Sequence, residues 1–374
     1  MKVLITGGAG FIGSHLSEAL VEAGHQVTVF DNLHPQTHAY GRFPAYLTSN
    51  VDFIFGDVRN RDLLKQAVEH ADVVYHLAAL TGVGQSMYQV ADYVDVNVGG
   101  TATLLDILVH ESNHVRRLIL ASSRAIYGEG AYECKSCGAV PVVVRDTSLL
   151  AAGKWDPPCP CCGAALHPQP TSEKWQPHPS SVYATTKLSQ EYLALSVGRA
   201  YGVEVVVLRY FNVYGPRQSL SNPYTGILSI FLNQLKTGEI VEVYEDGLES
   251  RDFVHVSDVV QANLLALNCD RASGEVINIG SGKPVSVLKV AEILGGLAGR
   301  PQAFYVSGRY RVGDIRHCFA DIQKAEKLLR YAPCKSLAEG ILDFVNWASH
   351  ETAANQTRLA EDELTARNLL RKGS

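Results

Sequence analysis

The chain opens with a short apolar strand that runs directly into a turn of regularly spaced glycines. The strand and the turn comprise Val3-Leu4-Ile5-Thr6, Gly7, Gly10, Phe11, Ile12 and Gly13. A helical pattern follows from Ser14 to Ala23. A strand, a glycine turn and a helix in this order bring backbone N–H groups and the positive helix end against a pyrophosphate. This opening predicts a Rossmann-type domain that binds a dinucleotide.

Apolar strands and helical segments then alternate along the chain. Further strands are predicted at Gln26–Phe30, Val51–Phe55, Val73–Leu77, Arg117–Ala121 and Val203–Tyr210, and further helices at Arg61–Glu69 and Gly99–Ser112. This alternation is typical of an α/β fold with a doubly wound parallel sheet covered on both faces.

The pattern divides the chain into three parts. Residues 1–214 are predicted to form the Rossmann domain, and residues 215–350 a smaller substrate-binding lobe with more proline and glycine. Within that lobe, Asp258–Ala266 and Glu275–Ile279 are expected to return to the main sheet. Residues 351–374 are polar and charged, and we expect a surface helix or a frayed tail there.

A carboxylate closes the second strand. Asp31 can accept both ribose hydroxyls of an adenosine and would repel a 2′-phosphate. Asn32 follows, and no arginine adjoins it, so NAD is favoured over NADP. Asp57 in Gly56-Asp57-Val58 has two readings that the sequence leaves open, a contact with the adenine edge or a cap on the next helix.

Ser123, Tyr183 and Lys187 are candidate catalytic residues. Tyr183 and Lys187 lie four residues apart and therefore share one face of a helix. The lysine can lower the pKa of the phenol and hold the nicotinamide ribose, and the phenol can then remove a proton from a sugar hydroxyl as hydride leaves for NAD. Ser123 would hydrogen-bond the same hydroxyl. The pair alone is common by chance, and its weight comes from the glycine turn and the Ser122–Gly128 segment.

Together these motifs resemble the extended short-chain dehydrogenase/reductases that act on nucleotide sugars, over roughly residues 1–347. Further marks of the resemblance are His76-Leu77-Ala78-Ala79, Asn97-Val98-x-Gly100-Thr101, Arg209–Pro216, Arg251–Val256 and Asn278-Ile279-Gly280. It implies a homodimer that pairs helices near Gly99–Ser112 and Ser181–Ala200. The contacts expected with the cofactor and the substrate are those of Val58, Leu77, Ala78, Ala79 and Asn97 for NAD, and those of Thr81, Ser123, Arg124, Asn212, Arg217, Arg251 and Arg311 for the sugar nucleotide.

The residues after Ser123 favour one reaction of this family. Its dehydratases carry an Asp-Glu pair directly after the serine or threonine, where this chain has Arg124 and Ala125. Its decarboxylases keep a glutamate at the position of Ala125. A 4-epimerase needs no extra acid or base, because it oxidises C4 and returns the hydride to the other face of the ketosugar. We therefore expect a nucleotide-sugar 4-epimerase with tightly bound NAD. A 4-reductase or dehydrogenase, and a non-catalytic NAD-sensing protein, are the alternatives.

Two cysteine knuckles interrupt the interval between Ser123 and Tyr183. They are Cys134-Lys135-Ser136-Cys137-Gly138 and Cys159-Pro160-Cys161-Cys162-Gly163. This spacing predicts a zinc-ribbon insert at residues 130–175 whose structural zinc is held by Cys134, Cys137, Cys159 and Cys162. Reduced cysteines in a loop and a redox disulfide are the alternatives. Because the insert begins soon after Ser123, it is expected to lie near the substrate.

The insert and the Pro179–Lys187 segment resemble the subgroup of dTDP-L-rhamnose 4-epimerases and related sugar epimerases. The resemblance implies a dTDP-6-deoxyhexose substrate such as dTDP-L-rhamnose, with UDP-hexoses and UDP-uronic acids as alternatives.

Charge and hydropathy narrow the range of partners. The 33 lysines and arginines against 38 acidic residues give a net charge of −5. This balance does not favour nucleic acid or an anionic membrane as a partner. No apolar run approaches the roughly 20 residues of a transmembrane helix. Since Met1 runs straight into the first strand, we expect no signal peptide and a cytoplasmic protein.

Overall fold

A parallel sheet forms the centre of the computed structural model, which describes residues 1–38, 41–352 and 357–373. In chain order the strands of the molecule are β1 (Lys2–Thr6), β2 (Gln26–Asp31), β3 (Asp52–Phe55), β4 (Val73–His76), β5 (Arg117–Ser123), β6 (Ala131–Cys134), β7 (Gly138–Val140), β8 (Leu166–Gln169), β9 (Glu204–Tyr210), β10 (Asn212–Tyr214), β11 (Val241–Val243), β12 (Ser250–His255), β13 (Val276–Ile279), β14 (Pro284–Ser286), β15 (Phe304–Val306), β16 (Arg309–Arg311), β17 (His317–Cys318) and β18 (Leu370–Lys372).

Helices cover both faces of this sheet and build the second lobe. They are α1 (Phe11–Glu22), α2 (Arg61–Glu69), α3 (Val83–Ser86), α4 (Val90–Tyr93), α5 (Gly100–His110), α6 (Thr147–Ala151), α7 (Val182–Tyr201), α8 (Ile227–Lys236), α9 (Val256–Leu267), α10 (Val287–Leu297), α11 (Gln323–Leu329), α12 (Leu337–Ser349) and α13 (Thr357–Ala366). A π-helical turn, Val94–Gly99, joins α4 to α5. Within the described ranges, no helix is both long and apolar enough to cross a membrane.

The central sheet confirms the predicted doubly wound α/β fold. Its seven strands run in the order β13-β9-β5-β4-β1-β2-β3, and every pair is parallel. The chain reverses its direction of travel across the sheet between β1 and β4. In an open sheet of this kind, the carboxyl ends of the strands at such a reversal border a crevice that binds ligands.

Alternating side chains of each strand supply two separate cores. In β1, Val3 and Ile5 are buried in the core shared with α1 and α9, while Leu4 is buried in the core shared with α2, α5 and α7. This follows from the two-residue period of a strand, because both faces of the parallel sheet are covered and both sets of side chains must be apolar.

The second lobe has a core of its own. Helices α8, α10 and α12 pack together over Phe231, Val243, Leu294, Ile341 and Phe344. The chain leaves this lobe twice for the main domain. Helix α9 packs against α1, and β13 joins the edge of the main sheet beside β9, at the two segments that were expected to return.

The C-terminal segment is a packed helix and strand in its described part, rather than a frayed tail. Strand β18 pairs antiparallel with β16. Ala360, Leu364 and Leu370 are buried although the surrounding sequence is polar. Ala360 and Leu364 are one helical turn apart, so they form a narrow apolar stripe that composition alone does not reveal.

His76 makes the stability of this fold sensitive to acid. Its ring lies buried at the end of β4, between the hydroxyls of Thr6 (2.7 Å from Nδ1) and Thr101 (2.9 Å from Nε2). Burial lowers its pKa to about 3. The unfolded chain therefore takes up the proton first, and the free energy of unfolding should fall by about 1.4 kcal/mol for each pH unit between the unfolded pKa of about 6.5 and the folded pKa.

Urea unfolding between pH 7.5 and pH 4.5 tests this expectation. A His76→Gln variant should show a smaller loss of stability with falling pH than the wild type. His110→Gln, at an exposed position on α5, should keep the wild-type slope. Equal slopes for the wild type and His76→Gln would contradict the assignment to His76.

Candidate active site

The glycine turn after β1 lies at one end of a cavity of about 900 Å³. A Cβ on Gly7, whose φ is +72°, would lie 2.7 Å from the backbone nitrogen of Ala78, and a Cβ on Gly13 would lie 2.4 Å from the carbonyl oxygen of Gly7. Only glycine permits this close approach of β1, α1 and the loop after β4. Gly10 precedes α1 without a side-chain cap, so the first amides of the helix remain available to a phosphate.

Asp31 is fixed at the end of β2 beside this turn. Its carboxylate accepts hydrogen bonds from the amides of Ala9 (3.0 Å) and Leu33 (2.9 Å) and lines the cavity. Both bonds orient the carboxylate, which can still accept ribose hydroxyls because each carboxylate oxygen has two lone pairs.

Asn32 and Asp57 form a second polar group at the same end of the cavity. The amide of Asn32 donates to Asp57 (2.9 Å), and Arg59 pairs with both Asp57 (2.8 Å) and Asp95 (2.7 Å). The hydrogen bonds from Arg59 hold the pKa of Asp57 well below its usual range. Two carboxylates thus pair with the guanidinium of Arg59, and Val58 lines the cavity next to them.

Ser123, Tyr183 and Lys187 meet at the middle of the cavity, as their motif predicts. Ser123 ends β5, while Tyr183 and Lys187 lie one turn apart at the start of α7. Burial raises the pKa of Tyr183, and a hydrogen bond to Ser123 and the charge of Arg124 oppose that rise. Burial lowers the pKa of Lys187 to about 8, and its Nζ donates to the carbonyl of Ala121 at 2.9 Å.

The other half of the cavity presents cationic and amide groups. Arg124, Arg251 and Arg311 line it, together with Thr81 and Asn212. Arg251 is anchored by the carbonyls of Ser250, Ile315 and Arg316 at 2.6 to 2.9 Å. Asn212 Oδ1 is buried without a hydrogen-bond partner in the described part of the chain. Several guanidinium groups around one cavity favour a ligand with a phosphate or another anionic group.

The model of the NAD dependent epimerase/dehydratase family matches residues 3–149 and 160–280 of this chain. The chain belongs to the NAD-dependent epimerase/dehydratase family. The interval between the two matched segments, residues 150–159, falls inside the cysteine insert.

Individual members of the family resemble this chain over most of its length. It is 36% identical to a dTDP-L-rhamnose 4-epimerase of Burkholderia thailandensis over 94% of this chain and 95% of the relative. Two solved structures each cover 93% of this chain and 99% of their own, with a TM-score of 0.76. They are UDP-glucuronic acid 4-epimerase from Bacillus cereus in complex with UDP-glucuronic acid and NAD, at 30% identity, and UDP-glucose 4-epimerase from Thermotoga maritima with UDP-glucose, at 32%.

Two residues that were predicted to contact a ligand, Asn97 and Arg217, do not line the cavity. Asn97 was expected to touch the cofactor, but its side chain is buried and bonds the backbone of Leu80 (2.8 and 3.1 Å) and the hydroxyl of Thr186 (3.0 Å). It therefore positions the loop after β4. Arg217 was expected to touch the substrate. Its backbone has a φ of +68°, and its guanidinium pairs instead with Glu18 at 2.8 Å.

The remaining predicted contacts all lie at the cavity. They are Gly7, Gly10, Phe11, Ile12, Gly13, Asp31, Asn32, Asp57, Val58, Leu77, Ala78 and Ala79 on the dinucleotide side, and Thr81, Ser123, Arg124, Tyr183, Lys187, Asn212, Arg251 and Arg311 on the other. Helix α13 forms a further wall of the cavity that was not predicted from the sequence. Its lining residues are Ala360, Glu361 and Leu364. Their only signal in the sequence is the spacing of Ala360 and Leu364 in a polar segment.

The four predicted metal ligands form a compact cluster in the cysteine insert. The sulfurs of Cys134, Cys137, Cys159 and Cys162 all lie within 4.8 Å of one another, and those of Cys134 and Cys162 are 3.6 Å apart. A Zn–S distance of about 2.3 Å places tetrahedral sulfurs about 3.8 Å apart, so the cluster fits such an ion. Strands β6, β7 and β8 frame the cluster as a three-stranded sheet.

Zinc content and two matched cysteine variants test this cluster. We expect the purified protein to contain about one zinc ion per chain by elemental analysis, because four thiolates at this spacing bind zinc tightly. Cys162→Ser should lose the metal. Cys161→Ser should keep it, since Cys161 is exposed, lies beside Cys162 and is outside the cluster. Equal zinc contents in the two variants would contradict the predicted ligand set.

Proposed function

We propose that this protein is an NAD-dependent nucleotide-sugar 4-epimerase whose substrate is a dTDP-6-deoxyhexose such as dTDP-L-rhamnose. The observation that carries the proposal is the meeting of Ser123, Tyr183 and Lys187 in one cavity, with Arg124 and Ala125 in place of the acid and base of a dehydratase. An enzyme with a single proton-transfer residue can remove and return one proton, which is all that C4 inversion requires.

The proposed reaction assigns a distinct task to each of the three residues. Tyr183, as the phenolate, removes the proton of the C4 hydroxyl and later returns it to the 4-keto oxygen. Ser123 hydrogen-bonds both the phenol and the sugar oxygen, which holds the two in line. NAD, when bound, would supply the acceptor and donor of the C4 hydride, so that the hydride can return to the opposite face of the sugar. Lys187 holds the ribose hydroxyls, and its positive charge stabilises the phenolate.

The dinucleotide end of the cavity favours NAD over NADP. The amides of the glycine turn can bind the pyrophosphate, and Asp31 can bind the ribose hydroxyls. A 2′-phosphate would meet the carboxylate of Asp31, while the charge of Arg59 is already neutralised by Asp57 and Asp95. We infer that NAD stays bound through the cycle, because each turnover regenerates it.

The substrate assignment rests on the three arginines and on the relatives. Arg251 and Arg311 would bind the diphosphate, with Asn212 beside them, and Arg124 would reach the sugar. The dTDP-L-rhamnose 4-epimerase relative supports the 6-deoxyhexose. The UDP-glucuronic acid and UDP-glucose 4-epimerase structures keep a UDP-uronic acid or UDP-hexose as the second candidate. A 4-reductase would use the same residues, but it would need NAD(P)H that exchanges.

The cysteine cluster would hold a structural zinc ion. Four thiolates leave no open coordination position for chemistry. The ion would fix an insert whose Arg145 reaches the cavity wall, where it pairs with Glu245 at 2.7 Å and bonds the carbonyl of Asp314 at 2.6 Å. Thiolate ligands persist in a reducing compartment, which favours the cytoplasm as the location.

Exposed apolar side chains on adjoining helices support a homodimer. Val90 on α4 and Val94 on the π-helical turn are nearly half exposed, and Tyr192 on α7 is 59% exposed. The three elements pack against each other. A second copy of the chain would cover these side chains, and exposed apolar side chains on adjoining elements are typical of an interface.

Sedimentation analysis of two charged variants tests the dimer. Tyr192→Glu should shift the wild-type dimer toward the monomer, because a carboxylate would be buried without a partner. Tyr305→Glu, at a half-exposed tyrosine on β15, should leave the dimer intact. A monomeric wild-type protein would rule out the proposed dimer.

The proposed reaction is tested by NMR in D₂O without added cofactor. Purified protein is mixed separately with dTDP-L-rhamnose, UDP-glucose, UDP-N-acetylglucosamine and UDP-glucuronic acid. Inversion at C4 without deuterium at that carbon is expected, since the hydride returns directly. Tyr183→Phe should lower kcat by about 10²- to 10⁴-fold and keep its NAD, whereas Tyr201→Phe at the exposed end of α7 should behave as the wild type. Deuterium at C3 or C5 would overturn the mechanism.

A further inference from the structure

Helix α13 lines the same cavity as Tyr183 and is connected to it through three intervening residues. The ring of Tyr183 packs edge-on against that of Tyr93, with centroids 6.5 Å apart. A Cβ built on Gly82 would lie 2.9 Å from both the hydroxyl of Tyr93 and the Cβ of Tyr224. The hydroxyl of Tyr224 donates in turn to Glu363 of α13 at 2.5 Å. These contacts link α13 to the wall of the cavity that carries Tyr183, so a ligand that fills the cavity can meet both.

Glu363 ties the two halves of the molecule together at this point. Its carboxylate accepts hydrogen bonds from Tyr88, which follows α3 in the Rossmann domain, and from Tyr224 of the second lobe. These bonds lower the pKa of Glu363, so its carboxylate stays ionised near neutral pH. The guanidinium of Arg367 lies 4.2 Å above the ring of Tyr88 and adds a contact one turn further along.

Two apolar side chains of α13, Ala360 and Leu364, face the cavity beside Glu361. Ala360 and Leu364 are 5% and 2% exposed and line the cavity, and Leu364 Cδ2 lies 3.4 Å from a Cβ built on Gly84. Glu361 also lines the cavity, but it is paired with Arg309 at 3.3 Å and accepts a hydrogen bond from Tyr244. A hydroxyl of the substrate placed against Ala360 and Leu364 would lose its hydration without gaining a partner from either side chain.

We propose that α13 is a specificity-determining wall in which Leu364 and Ala360 select a sugar with an apolar, uncharged substituent, such as the methyl group of a 6-deoxyhexose. The inference rests on the proposed function, which supplies the nucleotide sugar as the ligand. It adds a physical reason for the choice among the candidate sugars. Burying one methyl group against such a wall favours binding by about fourfold, and burying an unpaired hydroxyl instead increases the difference.

Binding of two sugar nucleotides that differ at one atom tests the proposal. The dissociation constants of dTDP, dTDP-D-glucose and dTDP-6-deoxy-D-glucose are measured by calorimetry with the full-length, NAD-loaded protein. The wild type should bind the 6-deoxy sugar on the order of tenfold more tightly than the glucose compound. Leu364→Ser should reduce this preference to about threefold or less and leave the affinity for dTDP within about twofold of the wild type.

Three further variants separate selection from folding. Leu359→Ser lies on the same helix at a position 65% exposed, and it should keep the wild-type preference. Leu364→Met conserves volume and should keep it as well. Glu363→Gln keeps the size of the side chain but weakens its bonds to Tyr88 and Tyr224. It should weaken binding of both sugars and speed trypsin cleavage at Arg358 and Arg367, with dTDP affinity unchanged.

The outcomes distinguish this inference from the proposed reaction. The wild type could prefer the 6-deoxy sugar, lose that preference in Leu364→Ser, and yet show no C4 inversion. That result would support the role of α13 in specificity and contradict the proposed epimerase reaction. C4 inversion by a wild type that shows no such preference would contradict only the proposed role of α13 in specificity. If Leu364→Ser loses affinity equally for dTDP and for both sugar nucleotides, Leu364 has a structural role and the proposal is wrong. Tighter binding of UDP-glucuronic acid than of UDP-glucose would point to Arg124 as the selector and overturn the proposal.

Discussion

A buried ion pair joins helix α7, which carries Tyr183 and Lys187, to the central sheet. Glu191 of α7 and Arg209 of β9 are 1% and 5% exposed, and their charged atoms approach to 2.7 Å. Removing two charges from water is costly, and the pair is tolerated only because further bonds satisfy the remaining groups. Ser122 donates to Glu191, and Arg209 donates to the hydroxyl of Tyr127 at 2.8 Å. The register of α7 on the sheet, and hence the position of Tyr183 and Lys187, depends on this pair.

The same network continues to the base of the cysteine insert. Tyr127 donates to Asn278 Oδ1 at 2.7 Å, and the amide of Asn278 donates to the carbonyl of Thr171 at 2.9 Å. The hydroxyl of Thr171 accepts the backbone amide of Ala131, where β6 begins. Buried polar contacts of this kind act cooperatively, because each one lies in a medium of low dielectric constant. The insert is thus joined to the central sheet through Ala131 and Thr171, near its two ends, whereas its cysteine cluster lies outside the network.

The parts of the structure that sequence could predict are those in which the backbone itself carries the signal. The glycine turn, the seven strands and the Tyr183–Lys187 face follow from steric limits and from the two- and 3.6-residue periods. The failures concern the direction of side chains and contacts between distant segments. Asn97 and Arg217 belong to recognisable motifs, yet Asn97 supports the backbone of Leu80 and a positive φ turns Arg217 toward Glu18. Neither effect is visible in the spacing of residues along the chain.

The cysteine insert and the C-terminal segment meet at the loop that carries Arg311. From the insert, Arg145 bonds the carbonyl of Asp314, and Trp155 packs against Tyr310 with ring centroids 6.2 Å apart. From the C-terminal segment, β18 pairs with β16 along Arg309–Arg311. The loop therefore has little freedom of its own, since both neighbours restrict it. Tyr183 and Lys187 are thus held by the central sheet and the buried pair beneath α7, whereas Arg311 is held by the insert and the C-terminal segment.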